Sequence, residues 1–195
     1  MSETTRPGDG EQLWDMTLAQ FRDACAERAL PGCGAVAAVT ADFGLALVVK
    51  ALRVSEGRAP RAARGELLRS AQALLGRPGA FADDDVAAFQ DYLNAEGRKA
   101  QQSAARQACA VPLATAHACS QALAIAEAAW PEVVESVRCD VKAGALLIYA
   151  AIESVLLNVE ADLDGLDDPS ARAGLAEMGD KLQSEAHARL RRMHE

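Results

Sequence analysis

From Thr17 onward, apolar residues recur at helical spacing in seven blocks, and short segments rich in Gly or Pro separate them. The first block predicts a helix capped by Thr17 that runs through Phe21 to about Glu27. Leu30-Pro31-Gly32-Cys33-Gly34 breaks the chain after it. Ala35 to Ser55 is nearly all apolar until Lys50, with only Thr40 and Asp42 interrupting, so it predicts a helix buried on most sides. Gly44 and the alanines of that helix would admit a second helix closely. Gly57 and Pro60 end it, and Gly65 to Leu75 predicts a shorter amphipathic helix. Gly76-Arg77-Pro78-Gly79 reads as a break. Asp83-Asp84-Asp85 then opens a helix carrying Val86, Phe89, Tyr92 and Leu93, which ends at Asn94 to Gly97. Arg98 to Trp130 is helical, with a kink expected at Pro112. Pro131 restarts the chain, and Cys139 or Asp140 to about Leu163 predicts a second long apolar helix. A turn over Asp164 to Pro169 leads to a charged, amphipathic last helix from Ser170 to His194.

Residues 1–12 show no such pattern and read as a disordered leader to a single domain over residues 13–195. No β-hairpin signal interrupts the blocks. The pattern predicts an all-α fold, a multi-helix bundle with two long buried helices. Their apolar surface exceeds what the shorter helices can cover, which predicts a homodimer.

Composition supports the helical reading: 43 of the 195 residues are Ala and only 4% are aromatic. The net charge of -8 lacks the basic face that phosphates require, which argues against nucleic acid. Arg58, Arg61 and Arg64, and Arg189, Arg191 and Arg192, read as solvated helix faces. Five cysteines, an odd number without a C-x-x-C pair, fit a reducing cytoplasm. The polar start carries Glu3, Asp9 and Glu11 and does not resemble a signal or transit peptide. The longest apolar run, Ala143 to Ala151, is far shorter than the ~20 residues that span a bilayer, so no membrane partner is expected.

Candidate chemistry is sparse. His117, His187 and His194 have no neighbours at metal-ligand spacing, so no metal site is expected. Gly32-Cys33-Gly34 is either a tight inter-helix turn or a cradle in which free helix amides meet a carboxylate or a reduced-pterin ring. In Asp83-Asp84-Asp85, one or two carboxylates suffice to cap a helix; a third, near Phe89, would be free for acid–base work or for stabilising a cation. Asp140 opens the other long helix and has a simple capping reading. Glu153, Asn158 and Asp162 are polar intrusions in that helix and need partners, either a neighbouring helix or a ligand.

The order of these segments resembles the formiminotransferase-cyclodeaminase / methenyltetrahydrofolate cyclohydrolase family. Leu30-Pro31-Gly32-Cys33-Gly34-Ala35, the apolar helix to Leu52 and Ser55-Glu56-Gly57-Arg58 are similar to its P-G-G-G-S, small-residue helix and T-x-G-(K/R), with Cys33 at the middle glycine. Asp83 to Phe89 with Tyr92 resembles D-x-D-x-x-A-F-x-x-Y. Val111-Pro112-Leu113 resembles V-P-L, and Asp140 through Asn158-Val159 resembles (S)D…N-V. The resemblance covers about residues 17–190.

It implies an all-helical homodimer whose substrate is a tetrahydrofolate derivative, with no covalently bound cofactor. The reaction would be either hydrolysis of the cationic 5,10-methenyl bridge or cyclodeamination of a formimino group. By the same resemblance Asp85 is the catalytic carboxylate, kept ionised by the helix N-terminus expected there. Gly32 and Gly34 shape the folate pocket, with Cys33 between them, and Arg58, Tyr92 and Asp140 are further substrate contacts. Tyr92, Phe89 or Tyr149 would stack on the pterin. Two other readings fit the same residues: a member binding another reduced pterin of the methanopterin type, and a helical dimer without catalysis.

Overall fold

The computed structural model describes residues 12–193, and helices make up almost all of them. In chain order these are α1 (Leu18–Glu27), α2 (Cys33–Arg58), α3 (Ala62–Leu74), α4 (Arg77–Asn94), α5 (Arg98–Ala129), α6 (Arg138–Asp162) and α7 (Pro169–Arg192). Short 3-10 turns cover Leu13–Asp15, Glu135–Val137 and Leu163–Gly165, and no strand occurs among the described residues. The expected leader, apart from Gln12, and His194 lie outside the described residues.

Thr17 caps α1 in a reciprocal box with Gln20, as its position predicts. The start of α4 differs from expectation. Only Gly76 breaks the chain: its backbone is left-handed (φ 87°), and its N–H donates to the Asp42 carboxylate at 2.7 Å. Pro78 then falls in the first turn, where no amide partner is lost. Gly79 is a close-approach residue, because a Cβ there would lie 2.2 Å from the Trp14 ring, whose Nε1 donates to the Gly79 carbonyl at 3.0 Å. The aspartate run therefore sits inside α4. Its first member, Asp83, accepts from the Leu13 amide at 2.8 Å.

Helices α2 and α6 form the centre and run antiparallel, with Cys33 meeting Asn158 at one end and Lys50 meeting Asp140 at the other. Leu45, Val48 and Leu52 of α2 and Val141, Ile148, Ile152 and Val155 of α6 are fully buried there. The two helices cross at Gly44 and Gly144. A Cβ on Gly144 would lie 2.4 Å from the Gly44 carbonyl oxygen, so the backbones touch. Gly144→Ala is expected to force the helices apart and lower the Tm by roughly 4–8 °C, about 2 kcal/mol in a chain this size. Gly174→Ala in α7 meets nothing within 4 Å. It is expected instead to stabilise by about 0.5–1 kcal/mol through helix propensity. Paired thermal melts check both.

Two readings of the sequence are corrected. Arg64 is not on a solvated face: it is 3% exposed and closes the C-terminal end of α2. It donates to the carbonyls of Ser55 (3.0 Å) and Ala59, and to that of Glu132 at 2.7 Å. Arg189 is part-buried and Arg192 stays exposed, as read from the sequence, and both pair with Glu127. The span argument based on one apolar run also fails, because among the described residues three helical segments (Cys33–Arg58, Arg98–Ala129 and 135–165) have the length and apolar content of a bilayer span. The first two are mostly buried by other helices. The third is less than half buried and leaves Leu146, Leu147 and Leu157 exposed.

Candidate active site

Gly32 caps α2 without a side chain, so the amides of the first turn need an outside acceptor. The carboxylate of Asp85 supplies one: reaching across from α4, it accepts the Ala35 N–H and a second hydrogen bond from the Asn158 side chain on α6. Asp85 does sit at a helix N-terminus, but at that of α2 and not its own. Gly34 makes this approach possible. A Cβ at that position would lie 2.1 Å from Asp85 Oδ1 and 2.6 Å from Asn158 Nδ2. Cys33 Sγ donates to Asn158 Oδ1 at 2.6 Å.

These groups line a cavity of about 260 Å³. Cys33, Asp85, Asn158 and Asp162 are its polar wall, and Leu30, Ala88, Phe89, Ala108 and Ala161 its apolar one. The volume lies just below the roughly 300–1,000 Å³ of drug-sized sites, which suits one bicyclic ring with the rest of the ligand outside. Among the described residues no three His, Cys, Asp or Glu side chains come together as metal ligands.

Burial pushes the Asp85 carboxyl up, and the Ala35 amide and the Asn158 side chain hold it back. Asp162 is pushed up to about 6, by burial first and by the Asp85 charge second. Cys109, behind it, is driven to about 11 by burial and then by the Asp162 charge, so its thiol stays neutral at physiological pH. The pair therefore divides its protons, with Asp162 taking one first and Asp85 remaining the anion. One carboxylate poised as base beside a second that keeps its proton up to about pH 6 is an arrangement for acid–base chemistry.

The raised carboxyl has a consequence for stability. The folded chain keeps the Asp162 proton where the unfolded chain loses it, so its favourable contribution is complete below about pH 4. It is lost as pH rises through about 6. Asp162→Asn is expected to stabilise the protein above pH 6 by roughly 1–2 kcal/mol, allowing for solvent screening, and to have little effect at pH 4. Denaturant titrations at the two pH values check this.

Of the residues picked out in the sequence, Gly32, Cys33, Gly34, Asp85 and Phe89 meet at the cavity. The structure does not bring the others to it. Tyr92 lies one turn further along α4, its hydroxyl beside Gly165. Tyr149 faces His187 of α7. Asp140 pairs with Lys50 at 3.0 Å, about 27 Å along α6 from Asn158. Arg58 donates to Ser136 at the far end of α2, about 36 Å along the helix from Gly34. Asn158 and Asp162 complete the site instead. Their signal in the sequence was polarity within an apolar helix.

The sequence pattern of the formiminotransferase-cyclodeaminase family matches residues 17–181, which takes in every one of these cavity residues. The chain belongs to that family. It is 30% identical over 197 residues to a methenyltetrahydrofolate cyclohydrolase of Methylorubrum extorquens, covering 92% of this chain and 94% of that protein. Its fold is that of the crystal structure of formiminotetrahydrofolate cyclodeaminase from Thermotoga maritima, with a TM-score of 0.86 at 19% identity over 93% of this chain and 96% of that one. Within the formiminotransferase-cyclodeaminase family fold, the cavity between the α2 N-terminus, α4 and the end of α6 is where two carboxyls raised by burial, Asp85 and Asp162, face each other.

Proposed function

We propose that this chain is a tetrahydrofolate one-carbon enzyme that hydrolyses the 5,10-methenyl bridge, the substrate named for its Methylorubrum relative. The observation that carries the reading is the Asp85 carboxylate, fixed by two donors in a largely apolar cavity, where an anion favours an amidinium-type cation. Water adds to the methenyl carbon and Asp85 takes the proton released. The bond from that carbon to one ring nitrogen then breaks as the new hydroxyl becomes a carbonyl. The nitrogen takes a proton from the carboxyl pair, where Asp162 holds one up to about pH 6. The hydroxyl proton passes to the vacated carboxylate and on to solvent, so one proton is released overall. Phe89 supplies the ring contact at the cavity wall. Five free cysteines suit a reducing cytoplasm as the place of work.

Supplying purified protein with either the 5,10-methenyl or the 5-formimino substrate tests the assignment. Faster loss of methenyl absorbance, with little ammonia released from the formimino compound, is the expected result. Faster ammonia release would replace hydrolysis by cyclodeamination.

A homodimer belongs to the same proposal. Leu146, Leu147 and Leu157 lie exposed along α6, and Val36 and Phe43 along α2, which supports a second copy covering this face. Sedimentation is expected to give twice the 20.5 kDa chain mass. A 20.5 kDa particle at micromolar concentration would contradict it.

A further inference from the structure

We infer that Cys33 is a positioning residue for Asp85, acting through Asn158. The inference rests on the functional reading above for its kinetic consequence but not for its physical content. An amide side chain presents a donor on one side and an acceptor on the other, and only its donor side helps a carboxylate. At Asn158 the acceptor, Oδ1, is occupied by the Cys33 thiol at 2.6 Å, and this leaves the NH2 group facing Asp85 and Gly34. The thiol is a weak donor, but it is the hydrogen-bond partner of Oδ1 and sits on the first residue of α2, two residues before the Ala35 amide that also binds Asp85. Asp85 is thus held by one donor from the α2 backbone and one that an α2 side chain orients. Without the thiol, Asn158 is free to rotate or flip, the second donor is lost part of the time, and the ionised form of Asp85 is disfavoured.

The titratable groups facing Asp85 are Cys33 from α2, Asp162 from α6 and, behind Asp162, Cys109 from α5. Neither of the last two contacts the Cys33–Asn158 pair in a hydrogen bond. A change confined to residue 33 therefore reads the relay and not a rearranged charge pair.

Cys33→Ser keeps an O–H donor, whereas Cys33→Ala removes the donor at similar bulk. The experiment titrates the Asp85 carboxyl by carbon-13 NMR in protein labelled at the aspartate carboxyls, assigned through Asp85→Asn. It also measures the acidic limb of kcat/KM for methenyl hydrolysis. In Cys33→Ala both midpoints are expected to move up by roughly half a pH unit, lowering the rate near the limb about threefold. In Cys33→Ser both should return to the wild-type position. An unmoved Asp85 titration in Cys33→Ala overturns the positioning role even in an active enzyme, and so does a shift that serine fails to reverse. A wild-type chain that does not hydrolyse the methenyl compound, yet whose Asp85 titration moves in Cys33→Ala and returns in Cys33→Ser, leaves the relay standing. It overturns only the folate reading.

Discussion

Asp85→Asn is expected to lower the rate of methenyl hydrolysis by about 10²–10⁴-fold while leaving the fold intact, the range that loss of a positioned acid–base group produces. The substitution is nearly isosteric. The new side-chain oxygen still accepts the Ala35 N–H, so the α2 terminus stays capped and the bundle should melt at or near the wild-type temperature. What disappears is the charge and the ability to take a proton. A second effect marks the change as local: without the Asp85 charge, the Asp162 carboxyl should fall below about 6, since that charge is the second cause of its elevation. Initial rates and a thermal melt on the same sample separate the two outcomes. An unchanged rate would mean that the carboxylate only caps α2.

Gly34→Ala is expected to reduce kcat by at least about 10²-fold although no reacting group is removed. The added methyl would stand 2.1 Å from Asp85 Oδ1, so the carboxylate must withdraw from the cavity wall by an ångström or more. A displacement of that size is enough for such a loss. Gly174 of α7 offers the control, because a Cβ there meets nothing within 4 Å and it lies outside the cavity lining, so Gly174→Ala should retain most of the activity. Circular dichroism of both variants should match the wild type, given that Ala is the better helix former at position 34. If Gly34→Ala turned over as fast as Gly174→Ala, the close seat of Asp85 against α2 would have no catalytic meaning.

The sequence foretold the helices well because their cause is local. Periodicity and the Thr17 and Gly76 boundaries are written within a few residues of each element. It misplaced the start of α4 because Pro78 and Gly79 look alike as breakers in one dimension. Pro78 is tolerated because it falls in the first turn, and the reason for Gly79, the ring of Trp14, lies 65 residues away in the chain. The same limit applies to the site. Asp85 was visible through the family pattern, but its support from Ala35 and Asn158 required knowing that α2 and α6 run antiparallel. Asn158 and Asp162 stood out as polar positions without a destination. Asp140 and Arg58 looked like site residues by pattern, yet helices of 25 and 26 residues carry them to the opposite end of the bundle. Arg64 gave no sign at all of being buried, since its acceptors are backbone carbonyls that no side-chain pattern reveals.

The most direct measurement is the initial rate of absorbance loss of 5,10-methenyltetrahydrofolate with the wild-type chain at neutral pH, set against buffer alone and against Asp85→Asn. Rapid loss with the wild type, and a rate for Asp85→Asn close to that of buffer, is the predicted result. A wild-type rate no faster than buffer would contradict the account.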